Sequence, residues 1–442
     1  MLEARELGGL RRVETRPAAE GRELELRKAT LAVEGASPSV CRIVVLGAGY
    51  GGITCVLRLA RWVRRRRGEG AVELILVDRN PYHLLETRLH EAAARGVEVT
   101  IPIAGLIRDR GIRFVAGEVE ELDLAAKRVR VAGGELEYDV LVVALGSKTA
   151  YYGIPGLEEH AFALKTLEDA QSLKANVERR LAEALGEADL ARRRWLRRVV
   201  IGGGGLTGVE LAMELAERIE ELTGRRLGEE EGGEVVVLEA GERLLPGSDR
   251  KIGERVAKLL RERRVQVVTG VRVVGVGPDE VRLSTGEVLR AGTIVWTGGV
   301  QVADLLRRSG AETGRQGRVL VEETLEVKGF PGVYAIGDAA LAVNPRTGEP
   351  VPMAAQFALQ QGRLAAENII ARLEGRPARA YHPRVLGEVV SLGRHLAVGW
   401  LALGWFGRLR FAGFLMSLLK RAIAEKHLLL LWKERKAWEL RW

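Results

Sequence analysis

The chain has 442 residues, 47% of them hydrophobic, with 68 lysines and arginines against 59 aspartates and glutamates for a formal charge of +9. That length and apolar content suit two or three domains with sizeable cores, and the charge suits nucleic acid, an anionic membrane surface or anionic ligands without choosing among them. Two cysteines, Cys41 and Cys55, exclude a disulfide framework and show no metal-ligand spacing, so a reducing setting and no metal centre are expected.

Residues 1–38 are charged and carry no apolar core segment, and they read as a flexible extension rather than a leader. The first patterned stretch is IVVLGAGYGG, an apolar run followed by Gly47, Gly49 and Gly52 on the GxGxxG spacing. The spacing predicts a strand, a tight turn and a helix whose N-terminal N–H groups face a pyrophosphate. One glycine permits the turn, one the approach of phosphate, and one the packing of helix on strand. The next strand, ELILVDRN, brings Asp78 to accept ribose hydroxyls. Arg79 is placed to stack on an adenine, and His83 reads either as a cofactor contact or as a satisfied structural histidine. The run RWVRRRR reads as a solvated helix end rather than a phosphate site. YDVLVVALGS predicts a further buried strand ending at Gly146, where a glycine permits close backbone approach to a ligand.

GIPGLEEH breaks the pattern and marks a domain crossing, and the following TLEDAQSLKANVERRLAEALGEADLARRRWL predicts one or two amphipathic helices. RRVVIGGGGLTGVELAMELA then repeats the opening, with Gly203, Gly205 and Gly208 on the same spacing. The strand EVVVLEA ends in Glu239, whose carboxylate favours NADH because it repels the 2′-phosphate of NADPH. Two complete units imply that two dinucleotides meet and that one reduces the other. Further on, Gly298 and Gly299 form a second glycine pair, with Gly299 a candidate cofactor contact, and GVYAIGDAA carries Gly337 and Asp338 just beyond a strand. Asp338 suits the ribityl chain of FAD, or the N-cap of a helix. VPMAAQFALQQGRLAAENIIARLEG predicts a helix with Pro352 in its first turn, Ala355 and Gln356 near its N-terminus, and Gln356 and Gln360 on one face. Aimed at a flavin, that N-terminus would stabilise negative charge on the reduced ring. Residues 393–442 hold five of the eight tryptophans among many cations, in apolar runs too short to span a bilayer. They predict an interfacial helix, with a dimer interface or a lid as the other reading.

The ordered set GAGYGG, ALGSKTAYYGIPGLEEHAFALKTLEDA, GGGGLTGVELAMELA, VVVLEAGERLLP, GVYAIGDAA and AAQFALQQG, ending in a basic aromatic tail, resembles type II NADH:quinone oxidoreductases from about residue 41 to the end. The resemblance implies an α/β fold of two Rossmann-like dinucleotide-binding domains, the NADH domain (156–302) inserted in an FAD domain (39–155 and 303–385). A C-terminal amphipathic membrane-associating region (386–442) follows. It implies FAD at Gly47, Gly49, Gly52, Asp78 and Asp338, and NADH at Gly203, Gly205, Gly208 and Glu239. Gln356 and Gln360 then border the flavin and a quinone, menaquinone or ubiquinone, and Glu210 lies near the reacting rings. Glu210 also reads as an acid in the first helical turn, stabilised by the helix dipole by about 0.3 to 1 kcal/mol. The implied enzyme works at the cytoplasmic face of the membrane without pumping protons, and a homodimer is left open. The chain departs from the family in having LLETRLHE where a Gln-Pro-Leu pattern is common, and Leu145 where a threonine is common.

Two alternatives stand beside this reading. One is a soluble NADH:ferredoxin-type flavin reductase. The other is a flavoprotein that binds nucleic acid through RWVRRRR and ARRRWLRR, but those runs lack aromatic interleaving and a recognised module, so no nucleic acid is expected. Dithiol and sulfide:quinone chemistry needs flavin-side cysteines that this chain does not have.

Overall fold

The computed structural model describes residues 40–65, 72–229, 231–402 and 408–413. Ile43 to Leu46 and Val199 to Ile201 are buried without alternation, as strands are when a sheet is covered on both faces. In the first unit β1 (Cys41–Leu46) leads through α1 (Tyr50–Arg65) to β2 (Val72–Asp78), then through α2 (Leu89–Arg95) to β3 (Ile112–Ala116) and β4 (Val140–Val143). The second unit opens on α3 (Leu167–Gly186) and runs through β5 (Arg198–Gly202), α4 (Leu206–Thr223), β6 (Glu234–Glu239), β7 (Gln266–Thr269) and β8 (Thr293–Trp296). The chain then returns with β9 (Val333–Ala335) and α5 (Ala355–Leu373).

The two parallel sheets have the orders β9-β4-β1-β2-β3 and β7-β6-β5-β8. Because β4 pairs with β9, the whole second unit is inserted in sequence between two neighbouring strands of the first sheet. Each unit also carries a three-stranded antiparallel ribbon between its third and fourth strands: 119–137 in the first, 273–290 in the second. Where the chain passes between units, Lys148–Thr149 pairs antiparallel with Val300–Gln301. In each sheet the strand order reverses beside the strand that precedes the glycine turn, β1 or β5. The crevice at the carboxyl ends of an open α/β sheet lies at that reversal.

Three expectations are corrected. The helix after the second glycine turn starts at Leu206 with no acid in its first turn, so Glu210 sits one turn further in than the dipole argument requires. The helix expected to include Pro352 starts at Ala355, because Ala354 keeps an extended backbone. The interfacial helix expected after Gly393 is, in its described part, two strands, β11 (Ala397–Ala402) and β12 (Arg408–Gly413), which form an antiparallel sheet with the preceding β10 (Gly387–Ser391). Trp400 is only 5% exposed and packs with Val390, Leu392 and Val398, so its ring belongs to the core. The physical reason is that a short unbroken apolar run fits a buried strand as well as it fits a helix. Residues 403–407 and 414–442, with most of the expected membrane-associating region, lie outside the described residues, as does the extension at 1–38. Among the described residues no helix is long and apolar enough to cross a membrane.

A core role for Trp400 has a measurable cost. Trp400→Ala is expected to lower unfolding stability by roughly 3–5 kcal/mol in a denaturant titration. A tryptophan serving only a lipid surface would cost no more than about 0.5 kcal/mol.

Candidate active site

The two glycine turns have the same construction. Gly47 and Gly203 take left-handed φ values of 98° and 113°. A Cβ on Gly52 would stand 1.8 Å from the Gly47 carbonyl oxygen, and one on Gly208 would stand 2.0 Å from that of Gly203. Each helix therefore presses directly on its own turn. The middle glycines differ: a Cβ on Gly49 or Gly205 meets nothing within 4 Å. Those are the positions where an approaching pyrophosphate needs room. Gly205 starts α4 with no side-chain cap, and α1 and α4 carry no acid in their first turns, so their N–H groups remain available to an anion. By contrast α3 is closed by a Thr166/Asp169 capping box.

The strand-end acids brace these turns. Asp78 accepts from the N–H groups of Ala48 at 2.6 Å and Asn80 at 2.8 Å, and Glu239 accepts from Gly204 at 2.8 Å and Gly241 at 2.7 Å. In each case one carboxylate oxygen holds the middle of the glycine turn and the other holds the loop beyond the strand. A carboxylate has about four acceptor positions, so each oxygen keeps capacity for a ribose hydroxyl. Burial pushes the Asp78 carboxyl up, against the Ala48 and Asn80 hydrogen bonds and nearby Arg79. His83 is fully buried, with Nδ1 2.7 Å from the Ala48 carbonyl and its ring edge-on to Tyr50, which makes it a support of the same turn. Burial lowers its pKa, so it stays neutral. Arg79 is exposed and lies 3.7 Å from Glu118.

Around Asp338 the structure assembles a group that no local pattern announces. Asp338 lies in the short 3-10 turn Gly337–Ala339, well before α5 in sequence, and α5 starts after Ala354 with no side-chain cap, so Asp338 caps no long helix. The Ser147 hydroxyl donates to its carboxylate at 2.6 Å, Lys165 Nζ donates to Ser147 at 3.3 Å, and Lys165 also donates to Glu86 at 2.8 Å. Burial opposes the Lys165 charge, but Glu86, Asp338 and Asp169 outweigh it and raise its pKa. The Gly337 N–H donates to the buried Gln361 Oε1 at 2.7 Å. Gly146 has φ 69° and open space around its Cβ direction, while the Cβ direction of Gly299 runs into the Tyr152 hydroxyl.

α5 crosses α1 where Gly362 meets Gly51; a Cβ on Gly362 would stand 2.3 Å from the Gly51 carbonyl oxygen. This contact carries the N-terminus of α5, at Ala355 and with no side-chain cap, toward the Gly337–Asp338 turn. Gln356 and Gln360 do share a face, and both bind backbone. Gln356 accepts from Leu386 N–H at 3.1 Å and donates to Gly387 carbonyl at 3.3 Å. Gln360 accepts from Arg384 N–H at 2.9 Å and donates to its carbonyl at 2.8 Å.

At the other end of β10, Ser391 N–H donates to Glu210 Oε1 at 2.8 Å, and Glu210 Oε2 lies 3.5 Å from His90 Nδ1 on α2. Glu210 is 8% exposed. One turn along, Glu214 meets Arg95 at 3.0 Å, and Glu217 and Glu221 meet the same guanidinium at 2.9 Å each. Burial lifts the Glu214 carboxyl to about 7, Arg95 working against it and Glu217 with it. Sequence reasoning named the glycines, the acids, Glu210 and the glutamines as candidates. It gave no role to Ser147, Lys165, Gln361 or His90, whose partners all come from distant segments.

The pyridine nucleotide-disulphide oxidoreductase family matches residues 41–362. Similar curated proteins include the type II NADH:quinone oxidoreductase of Staphylococcus haemolyticus, 31% identical over 369 residues (81% of this chain, 89% of that protein). That of Staphylococcus aureus strain NCTC 8325 is 30% identical over 393 residues (86% and 94%). Among solved structures, NDH2 of Plasmodium falciparum in complex with NADH superposes with a TM-score of 0.77 at 19% identity, covering 89% of this chain and 96% of that one. The sulfide:quinone oxidoreductase of Aquifex aeolicus gives 0.72 at 21%, covering 90% and 92%. At those identities the two structures speak for the fold alone.

The glycines separate stability from ligand binding. Gly49→Ala is expected to leave the unfolding free energy of the cofactor-free protein within about 0.5 kcal/mol while weakening dinucleotide binding, measured by flavin retention. Gly52→Ala is expected to destabilise the fold by about 1–3 kcal/mol or more through overpacking.

Proposed function

Since the chain belongs to the pyridine nucleotide-disulphide oxidoreductase family and, within it, to the type II NADH:quinone oxidoreductases, we propose a division of labour among its residues. The protein is an FAD-dependent NADH:quinone oxidoreductase. The observation that carries the assignment of roles is the paired construction of the two turns, each open at its middle glycine and braced by a strand-end carboxylate. FAD, when bound, supplies the two-electron chemistry linking the substrates. Gly47, Gly49, Gly52 and Asp78 hold its adenosine diphosphate half, with Arg79 at the adenine and Gly146 giving backbone access. Asp338, fixed by Ser147 and Lys165, would with Gly337 hold the ribityl hydroxyls, and the N-terminus of α5 at Ala355 and Gln356 would offer its positive end to the ring. Gly203, Gly205, Gly208, Glu239 and Gly299 hold NADH. Gln356 and Gln360 shape the quinone side by fixing residues 384–387, and Glu210 stands near the reacting rings. Held in this way, the NADH hydride and the acceptor would come within reach of one centre.

Membrane contact falls to the basic aromatic segment beyond β12, on the cytoplasmic face, where a lipid-soluble quinone is available. A sulfide route is not supported: of the two cysteines, Cys55 is fully buried in α1 with its thiol pushed up to about 12 by burial, and Cys41 lies on β1.

The deciding measurement is NADH oxidation by the flavin-loaded protein with menaquinone analogues, ubiquinone analogues and ferredoxin. Quinone is expected to restore the flavin absorbance bleached by NADH, and failure to do so overturns the assignment. Glu239→Ala is expected to raise KM for NADH and narrow the preference over NADPH by roughly tenfold; unchanged constants would remove its ribose role. Truncation after Gly413, which spares the folded sheet, is expected to release the protein from anionic liposomes in a flotation assay. Continued flotation would place the contact elsewhere.

A further inference from the structure

The chain crosses from the first unit to the second through residues that are clipped onto β8 and the loop beyond it. Lys148–Thr149 pairs with Val300–Gln301, the Ala150 N–H donates to the Gly299 carbonyl at 3.0 Å, and Trp296 Nε1 donates to the Ala150 carbonyl at 2.8 Å. The crossing then turns at Tyr152 and Gly153, whose φ values of 53° and 66° are both left-handed, and the Ile154 N–H closes the turn on the Tyr151 carbonyl at 3.1 Å. A turn with two positive φ values favours asparagine and glycine at its centre. Gly153 meets that demand, whereas a bulky aromatic residue at Tyr152 is strained there. Packing offsets little of the strain, because Tyr152 is 64% exposed. Its hydroxyl nevertheless has a set place: a Cβ on Gly299 would stand 2.1 Å from it. Gly299 follows Gly298, on which the second glycine turn is pressed, since a Cβ on Gly203 would stand 2.7 Å from the Gly298 Cα. Leu206, which opens α4 directly after Gly205, is 42% exposed. Its counterpart in the first turn is Tyr50, whose hydroxyl is bonded to Thr87 and whose ring meets His83 edge-on. The second turn is thus bordered by apolar surface left open to solvent.

We propose that Tyr152 is a binding residue for NADH, its ring standing against the nicotinamide half of the substrate. The inference rests on the assignment of the second turn to NADH. Ser147, five residues before Tyr152, donates to Asp338 on the flavin side, and Tyr152 itself lies against the loop beside the second turn. A dinucleotide held by the second turn and reaching toward Asp338 runs along the segment between the two, and the exposed ring lies on that segment. An aromatic side chain supplies a large apolar face at low conformational cost and pairs with another flat ring, while its hydroxyl serves as a polar rim. The turn has already fixed the direction of the ring, so binding has little left to order. Backbone strain of this kind clusters at ligand sites, where a bound molecule and not the fold makes use of it.

The test is Tyr152→Asn in the flavin-loaded enzyme, followed by anaerobic stopped flow. The NADH concentration that gives half the limiting rate of flavin bleaching is expected to rise roughly five- to tenfold. Calorimetric titration with NAD+, which carries no hydride to give, is expected to show the same loss of affinity without turnover. Because asparagine suits the turn, the melting temperature is expected to hold or to rise by about 1–3 °C. Tyr152→Phe keeps the ring and is expected to stay within about twofold of wild type in both binding measurements. Tyr152→Gly removes the ring from the same turn and is expected to repeat the asparagine result. Unchanged NADH and NAD+ constants in Tyr152→Asn and Tyr152→Gly would overturn the proposal, and so would a phenylalanine variant as weak as the asparagine one. A clear fall in melting temperature, or failure to fold, in both turn-compatible variants would make Tyr152 a brace of the crossing and overturn it too. Wild-type flavin that NADH does not bleach would instead overturn the assignment of the second turn.

Discussion

Both nucleotide units depend on one close contact, the helix backbone laid against the carbonyl of its own turn. At Gly52 and Gly208 there is no space for even a methyl group. Because the helix is pressed so close, its first N–H groups project past the turn, and the strand-end carboxylate can reach the middle of the turn from the other side. Turn, helix and acid therefore form one rigid piece, and the sheets on which they stand set the distance between the two pieces. The rest of the molecule, from the returning strand β9 to the terminal sheet, is arranged around these two fixed cradles.

What was legible in the sequence was legible for local reasons. The contacts of Gly52 with Gly47 and of Gly208 with Gly203 each lie within six positions, so the spacing carries them, whereas the close approaches of Gly47 to Ala144 and of Gly203 to Gly298 are long-range and left no mark in it. The spacing of Gln356 and Gln360 placed them on one face but could not say that they bind the backbone of residues 384–387, because those partners belong to an irregular segment. The Glu86–Lys165–Ser147–Asp338 chain has no periodicity to detect, since its members come from four separate loops. The terminal sheet was misjudged for a different reason. LAVGW is short and apolar throughout, and only the turn that pairs β10 with β11 decides between strand and helix.

Electrostatics divides the interior into two kinds of place. Near Asp338 a single lysine, Lys165, is held ionised by Glu86, Asp338 and Asp169 despite its burial. Along α4 Arg95 meets Glu214, Glu217 and Glu221, and Arg218, Arg263 and Arg394 stand against the outer two of these acids. Removing one partner from a buried charged group commonly costs several kcal/mol, so the first arrangement is rigid and rests on every member. The second tolerates a change of one charge because a carboxyl there can take up a proton. Fixed geometry thus lies beside the flavin-side candidates, and adjustable charge lies at the junction of α2 with α4.

β10 is gripped at Gly387 by Gln356 from the first unit and at Ser391 by Glu210 from the second. An extended strand resists stretching, so these five residues act as a strut of set length between two helices that belong to different dinucleotide units. Rotation of one unit against the other would have to break one of these grips. The terminal sheet is therefore a second tie between the two units, added to the direct packing of α2 on α3 and α4.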